Sequence, residues 1–149
     1  MAIQKQEFYE GAALYMLARE GGLSSIRYEH PIFVVNGALS LLLKYSTKIR
    51  SPWGFTFACD EREMLDQRSI GSRVIIGLVC GSDGVATLDY RSFAHLVPTG
   101  KSAIHVSCYR QHGEYYEISG PKGSLDKKVA PSEWRQLVRT IQELQDEAL

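Results

Sequence analysis

Lys44 is the residue of this sequence whose position most suggests chemistry, because three consecutive leucines precede it. Lysine is rarely buried without a partner, and burial lowers the pKa of an unpaired ammonium group. One interpretation is that Lys44 contacts a phosphate or a carboxylate, with Glu10 nearby. The other is that Lys44 lies at a strand end, where its aliphatic stem lets the ammonium group reach water.

A polar, basic loop is expected directly after Lys44, at residues 47–52. Hydroxyl and cationic side chains of this kind suit phosphate oxygens. An ordinary solvated loop explains the same composition. With Lys44, this region supplies the candidate nucleic-acid contacts Lys44, Ser46, Lys48 and Arg50.

Two further segments resemble binding motifs but have a structural interpretation. Trp53, Phe55 and Phe57 alternate with smaller residues, so they share one face of a strand. That face could stack on nucleic-acid bases, but it is expected to lie in the core. Residues 81–84 lack the Walker pattern of a phosphate-binding loop, and their Asp-Gly pair predicts a hairpin turn.

Histidines and cysteines give no pattern typical of catalysis or metal binding. The four histidines are scattered, without HExxH or a Gly-x-Ser-x-Gly elbow. The three cysteines are odd in number and lack CxxC spacing, so we expect core thiols in a reducing compartment rather than disulfides. They are Cys59, Cys80 and Cys108.

Apolar periodicity and turn residues predict the elements that must position these side chains. Strands mixed with helices indicate an α/β or α+β core. The expected segments are a helix at 5–20 ended by Gly21-Gly22, extended segments at 24–36 interrupted by Pro31, a hairpin at Asn36-Gly37, strands at 38–46 and 53–57, a short helix near 60–68 capped by Asp60 and Glu63, strands at 73–80 and 85–88, a helix at 90–97, a hairpin at 103–110 and 114–119, and a final helix from Pro131 with an apolar stripe that includes Trp134 and Ala148.

Length and charge narrow the class of protein. A chain of 149 residues fits one domain, taken as 1–149, with enough core to fold without staples. Its 17 basic residues equal its 17 acidic ones, which argues against a strongly basic, nonspecific nucleic-acid binder but leaves a local patch open. The N-terminus lacks a signal-peptide pattern and no apolar run reaches the ~20 residues of a membrane span. We therefore expect a cytoplasmic protein.

The region from Glu10 to Phe57 resembles the PD-(D/E)XK, or restriction-endonuclease-like, superfamily. Its helix carries Glu10 and ends at glycine, as the family's first helix does before a strand, a hairpin and a strand with E-x-K. Here that last strand contains Leu42-Leu43-Lys44-Tyr45-Ser46, and a basic loop and the aromatic strand follow. Residues 73–97 are similar to the family's next unit. The resemblance implies a central mixed sheet flanked by helices.

The family's Mg²⁺ carboxylates are mostly missing from this sequence. Leu42 replaces the E-x-K glutamate, and the hairpin aspartate has no counterpart in residues 33–36. Only Glu10 and Lys44 remain, as vestiges of the family's site. One carboxylate and one cation make a poor Mg²⁺ site, so neither a metal site nor hydrolysis is expected.

Three hypotheses follow for function. The first is a catalytically degenerate nuclease-like domain that binds nucleic acid, or that scaffolds a DNA-processing or defence complex in a microbe or phage. In it Glu10 orients Lys44, and the final helix mediates a homodimer. The second is an active Mg²⁺-dependent endonuclease in which Glu7, Glu29 or Asp60 joins Glu10. The third is a protein-interaction module without a nucleic-acid role, which the neutral net charge favours.

Overall fold

Strands and helices occupy nearly all the segments that the apolar patterns predict. The computed structural model describes residues 1–147. In chain order the elements are α1 (Lys5–Arg19), β1 (Ile26–Glu29), β2 (Ile32–Val35), β3 (Leu39–Ser46), β4 (Trp53–Phe57), α2 (Cys59–Gly71), β5 (Arg73–Cys80), β6 (Gly84–Asp89), α3 (Tyr90–Leu96), β7 (Ile104–Tyr109), β8 (Glu117–Gly120), β9 (Gly123–Ser124) and α4 (Glu133–Glu147).

A mixed five-stranded sheet has the order β1-β2-β3-β5-β6. Strands β3 and β5 run parallel, and the other neighbours are antiparallel. Parallel neighbours require a crossover, which β4 and α2 provide here. Buried side chains cover both faces of β3 from Leu39 to Leu43, as expected of a central strand. The prediction of a mixed α+β architecture is therefore confirmed.

A second sheet of four strands has the order β4-β7-β8-β9, and the sequence analysis did not predict it. Its first pair joins segments distant in sequence, with Trp53 opposite Cys108 and Phe57 opposite Ile104. The aromatic face of β4 points inward, and Trp53, Phe55 and Phe57 are all buried. The prediction that this face belongs to the core is confirmed.

The five-stranded sheet separates two apolar cores. One lies between the two sheets and includes Trp53, Phe57, Leu65 of α2 and Phe93 of α3. The other lies on the opposite face, beneath α1 and α4, and includes Trp134. Since strand side chains alternate between faces, Leu42 of β3 belongs to the first core and its neighbours Leu41 and Leu43 belong to the second.

Gly77 lets α4 approach the sheet closely. A Cβ atom there would lie 2.7 Å from both Leu43 Cδ2 and Trp134 Cη2, so only glycine leaves room for the indole. The Trp134 indole N–H then donates to the carbonyl of Ala13 in α1 at 3.0 Å. The apolar stripe of α4 thus packs inside its own chain. Ala148, which the sequence assigned to this stripe, lies outside the described residues.

The hairpin turn, the start of α2 and the cysteines test local predictions from the sequence. Asn36 and Gly37 have φ of 53° and 64°, the left-handed pair that a tight hairpin requires. Helix α2 begins at Cys59, so the prediction that Asp60 caps it is wrong. Cys59 is also exposed, whereas Cys80 and Cys108 are buried as predicted, and all three thiols are free.

Among the helices within residues 1–147, none has the length and apolar character needed to cross a membrane.

Candidate functional site

A cleft opens where strand β3 extends beyond its neighbour β2. Strand β2 pairs with β3 only as far as Leu41, because the chain turns away at His30 and Pro31. The edge of β3 from Leu42 to Tyr45 is therefore uncovered on that side. The cleft has a volume of about 440 Å³, and its other walls come from α1, β4 and the start of α2.

Lys44 lies inside this cleft and is held by Glu61 of α2. Its Nζ atom donates to both carboxylate oxygens, at 2.9 and 2.8 Å. Each side chain of the pair is only 18% exposed, and the ammonium group lies 5.4 Å from the centre of the Phe57 ring. Lys44 therefore neither extends freely into water nor presents a free cation to a phosphate.

Glu61 is the functional-site residue that the sequence analysis missed. Its carboxylate also accepts the backbone N–H of Ala58 at 2.9 Å, which fixes the first turn of α2. A glutamate three residues after the residue that precedes a helix is a capping pattern. The sequence shows this pattern at Ala58 and Glu61, but the predicted capping residue, Asp60, lies two residues after the observed one.

Glu10 reaches the same cleft from α1. Its side chain is ionisable yet only 8% exposed, and together with Gln6 it lines the cleft. Burial raises the pKa of Glu10 above its ordinary value, while a hydrogen bond from Gln6 and the charge of Lys44 offset part of that rise. Glu10 and Lys44 are thus brought together as the sequence predicts, but Glu61 is the residue that orients Lys44.

Asp60 is the only one of the three proposed relocated carboxylates that lines this cleft within residues 1–147. Glu7 instead accepts the backbone N–H of Gln4 at 2.9 Å and caps α1. Glu29 lies 3.3 Å from Arg27 and 3.6 Å from Arg68. The carboxylates of Glu7 and Glu29 therefore interact with groups outside the cleft.

The cleft carboxylates do not fit a Mg²⁺ ion as they are arranged. Both oxygens of Glu61 already bind Lys44, and one also accepts a backbone N–H. Mg²⁺ requires near-octahedral oxygen ligands. In the part of the chain that the structure describes, no three or more His, Cys, Asp or Glu side chains are grouped so that they could hold a metal ion.

The basic loop, residues 47–52, extends from the far end of β3. Lys48 and Arg50 are exposed, and neither forms an ion pair within residues 1–147. Ser46 is half-buried, and its hydroxyl group lies 3.4 Å from the backbone nitrogen of Lys48. The four candidate contacts therefore separate into two exposed cations, one local hydroxyl contact and the neutralised Lys44.

Two hydrogen bonds hold the backbone at the basic loop and at the strand end that precedes it. The indole N–H of Trp53 donates to the carbonyl of Lys48 at 3.0 Å, and the backbone N–H of Gly81 donates to the backbone carbonyl of Ser46 at 2.9 Å. A side chain at Gly81 would clash with the Lys48 carbonyl, and the residue has φ of 55°. Residues 81–84 thus form the predicted turn, and Gly81 also lets the loop approach closely.

A shallow groove of about 470 Å³ lies beside the basic loop and is shared with the end of β7. Tyr109, which is 41% exposed, and His112 line it. Arg110 lies there too, but its guanidinium group donates a hydrogen bond to the Asp83 carboxylate, with 3.0 Å between Nη1 and Oδ2. Tyr116 also donates to Asp83, at 2.7 Å, so this carboxylate serves to join the two sheets.

Comparisons of the chain with models of protein families, with curated proteins and with solved structures give no significant match.

Proposed function

We propose that this chain is a nuclease-like domain of PD-(D/E)XK type that has lost catalysis and binds nucleic acid through its basic loop. Lys48 and Arg50 contact phosphate oxygens in this proposal. The observation that carries it is the contrast among the cations near β3: Lys44 is neutralised by Glu61, whereas Lys48 and Arg50 are exposed.

The order of the elements supports the architectural part of the proposal. Helix α1 carries Glu10, β1 and β2 follow, and a hairpin leads into β3 with Lys44. The central sheet is mixed and helices pack on it. Glu10 and Lys44 line one cleft, which is where the resemblance would bring them.

The contents of the cleft support the loss of hydrolysis. Metal-dependent phosphodiester cleavage needs carboxylates that are free to bind the ion, and the ion then activates water. The Glu61 carboxylate binds Lys44 with both oxygens. Glu10, Asp60 and Glu61 also outnumber Lys44 in the cleft, so without a metal the cleft repels a phosphate.

The salt dependence of binding tests the role of the basic loop. Each lysine or arginine contact to a duplex phosphate contributes about 0.9 to the slope of log affinity against log salt concentration. The Lys48→Ala/Arg50→Ala variant should therefore reduce the slope by about 1.8 for a short DNA duplex. The matched control is Lys5→Ala/Lys122→Ala, which removes two other exposed cations and should leave the slope unchanged.

Three outcomes would overturn the proposal. An unchanged slope in the loop variant would exclude the loop as the binding surface. Cleavage of DNA with Mg²⁺ or Mn²⁺ that is abolished by EDTA and by Glu10→Ala would identify an active nuclease. An absence of binding to duplex and single-stranded DNA and RNA at low salt would instead favour a protein-interaction module.

A further inference from the structure

Strand β1 is an exposed edge of the five-stranded sheet. It lies at one end of the strand order, so within residues 1–147 no strand pairs with its outer side. Ile26 and Tyr28 are 41% and 51% exposed, and the side chain of Arg27 is 71% exposed. Strand β6, at the other end of the order, is instead covered, with Leu88 only 1% exposed. Of these two edge strands, β1 is therefore the one that another molecule can reach.

The hydrogen bonds between β1 and β2 determine which backbone groups of β1 face outward. The N–H of Asn36 donates to the carbonyl of Ser25 at 2.9 Å, so the backbone of Ser25 bonds toward β2. In an antiparallel pair, residues bonded to the neighbouring strand alternate with residues whose N–H and C=O groups point away from it. The N–H and C=O groups of Ile26 and Tyr28 therefore point to the outer edge. No backbone group of another segment within residues 1–147 bonds to them.

Charged and apolar side chains alternate along this edge. Arg27 and Glu29 share one face of β1 and form an ion pair at 3.3 Å. Ile26 and Tyr28 share the other face, where the centre of the Tyr28 ring lies 4.9 Å from that of Phe33 on β2. Charged side chains discourage pairing between an edge strand and an arbitrary partner. An arginine two residues before a glutamate is a different case, because an antiparallel copy of the strand can place each charge opposite its counterpart.

We propose that two copies of this chain form a dimer in which their β1 strands pair antiparallel, with the two-fold axis at Tyr28. In this register the outward N–H and C=O groups of the two Tyr28 residues exchange a pair of backbone hydrogen bonds. Arg27 of each copy then lies opposite Glu29 of the second copy, at a position where the Cα atoms of paired strands are about 4.5 Å apart. Two ion pairs thus form across the interface, and the two five-stranded sheets become one continuous sheet.

Other antiparallel registers of two β1 strands are less favourable. A two-fold axis at Arg27 would place two arginines opposite each other, and an axis at Glu29 would do the same with two glutamates. Like charges directly opposite each other are destabilising. An axis at Ile26 would place Arg27 opposite Ser25, which carries no charge. The register at Tyr28 pairs all four charges and also places two tyrosine rings side by side, which is a favourable cross-strand pair.

Sedimentation velocity of the wild-type chain tests the dimer. An edge of four residues buries less surface than the about 1,200 Å² at the lower end of stable complexes, so we expect a Kd of about 10–100 μM. The sedimentation coefficient should therefore rise from the monomer value toward the dimer value between about 1 μM and 1 mM chain. Amide exchange at Ile26 and Tyr28 should slow over the same range, because their N–H groups become hydrogen-bonded.

Charge reversal tests the register. Arg27→Glu brings glutamates together on both sides of the axis, and Glu29→Arg brings arginines together, so each variant alone should dimerise about tenfold more weakly. An equimolar mixture of the two variants should restore the dimer, because each arginine then faces a glutamate. The double variant Arg27→Glu/Glu29→Arg should associate like the wild type for the same reason. The matched control is Lys122→Glu, at an exposed site outside β1, which should leave the dimer unchanged.

Two further controls separate the dimer from other effects of these changes. Glu29 also lies 3.6 Å from Arg68 of α2, so thermal unfolding of each variant checks that the fold is retained. The Lys48→Ala/Arg50→Ala variant should dimerise like the wild type, because neither residue lies in β1. A failure of the dimer and a failure of nucleic-acid binding by the basic loop can therefore be distinguished.

Three results would contradict this arrangement. A wild-type chain that remains monomeric at about 1 mM would exclude the dimer. Equal association of the wild type and both single variants, or unchanged amide exchange at Ile26 and Tyr28 on dimerisation, would place the interface elsewhere in the molecule. A mixture of the two single variants that stays monomeric, although both are folded, would exclude the register with its axis at Tyr28.

Discussion

The cleft at β3 and a groove of about 490 Å³ between β6, the segment 125–129 and α4 lie on one sheet and differ in charge. In the cleft, Glu10, Asp60 and Glu61 outnumber a single lysine, Lys44. In the groove, four cations outnumber Asp89 and Glu133; they are Arg73, Lys127, Lys128 and Arg139. Interactions between exposed charges fade beyond about 8 Å at physiological salt. The neutral total in the sequence therefore says little about either surface, since each one presents its own sign.

The two sites also differ in how completely their polar groups are paired. The ammonium group of Lys44 bonds to both oxygens of its carboxylate partner. The hydroxyl group of Thr87, by contrast, has no partner. The ion pair of the cleft is therefore satisfied, whereas the buried hydroxyl group of Thr87 is not. This difference predicts opposite responses to the removal of a polar side chain.

Loss of Glu61 should cause the largest change in stability. Glu61→Ala leaves Lys44 without a partner at an 18% exposed position and removes the contact to Ala58 N–H. Removing one member of a buried pair and a helix cap together should lower the free energy of unfolding by about 2–3 kcal/mol. Urea denaturation at neutral pH measures this change.

A double-mutant cycle isolates the pair itself. Lys44→Met with Glu61→Ala should cost less than the sum of the two single changes, by about 1–2 kcal/mol. Glu63→Ala is the matched control on the same helix, because its partner Lys101 is largely exposed; a small effect is expected. Strict additivity in the cycle would mean that the cleft is not internally paired.

Thr87→Val should have the opposite sign and a smaller size. Valine has nearly the shape of threonine but lacks the hydroxyl group, whose Oγ1 atom is unsatisfied here. The free energy of unfolding should rise by about 1 kcal/mol. Thr56→Val, at an exposed cleft position, should change it by less than about 0.5 kcal/mol. Destabilisation by Thr87→Val would show that the hydroxyl group already has a partner.

Glu10→Gln should have the smallest effect, and its effect should depend on pH. Burial raises the pKa of Glu10 above 4.5, so the folded chain holds this proton more tightly than the unfolded chain does. Stability from this group is therefore lost as pH rises above 4.5 through the raised pKa. Glutamine mimics the protonated form, so the variant should gain stability relative to wild type at neutral pH but not below pH 4.5. Thermal unfolding across this range measures the difference. A loss of stability at neutral pH would mean that Lys44 needs the charge of Glu10.

Local patterns predicted the elements of this fold well, because they depend on neighbouring residues. The positive φ angles at Asn36 and Gly37 follow directly from an Asn-Gly pair between apolar runs. The buried strand at 73–80 was predicted with its observed bounds. Each of these features is determined by residues within a few positions of one another.

Contacts between segments that are far apart in the chain could not be predicted from the sequence. Strand β4 pairs with β7 across some fifty residues, and no local signal specifies that partner. The outer face of α1 is a related case: Phe8 and Tyr15 are more than 60% exposed, whereas Glu10 on the same helix is 8% exposed. Similarly, the contact between Lys44 and Glu61 depends on how α2 lies against β3, so the sequence identified Lys44 as a candidate but not its partner.

The placement of the two tryptophans has a practical consequence. Trp53 lies in the core between the sheets, and Trp134 lies in the core beneath α1 and α4. The chain contains no other tryptophan, so its intrinsic fluorescence carries one signal from each core. Replacing either indole with phenylalanine would leave an optical probe for the remaining layer. Coincident transitions of the two probes would indicate that both layers melt as one cooperative unit.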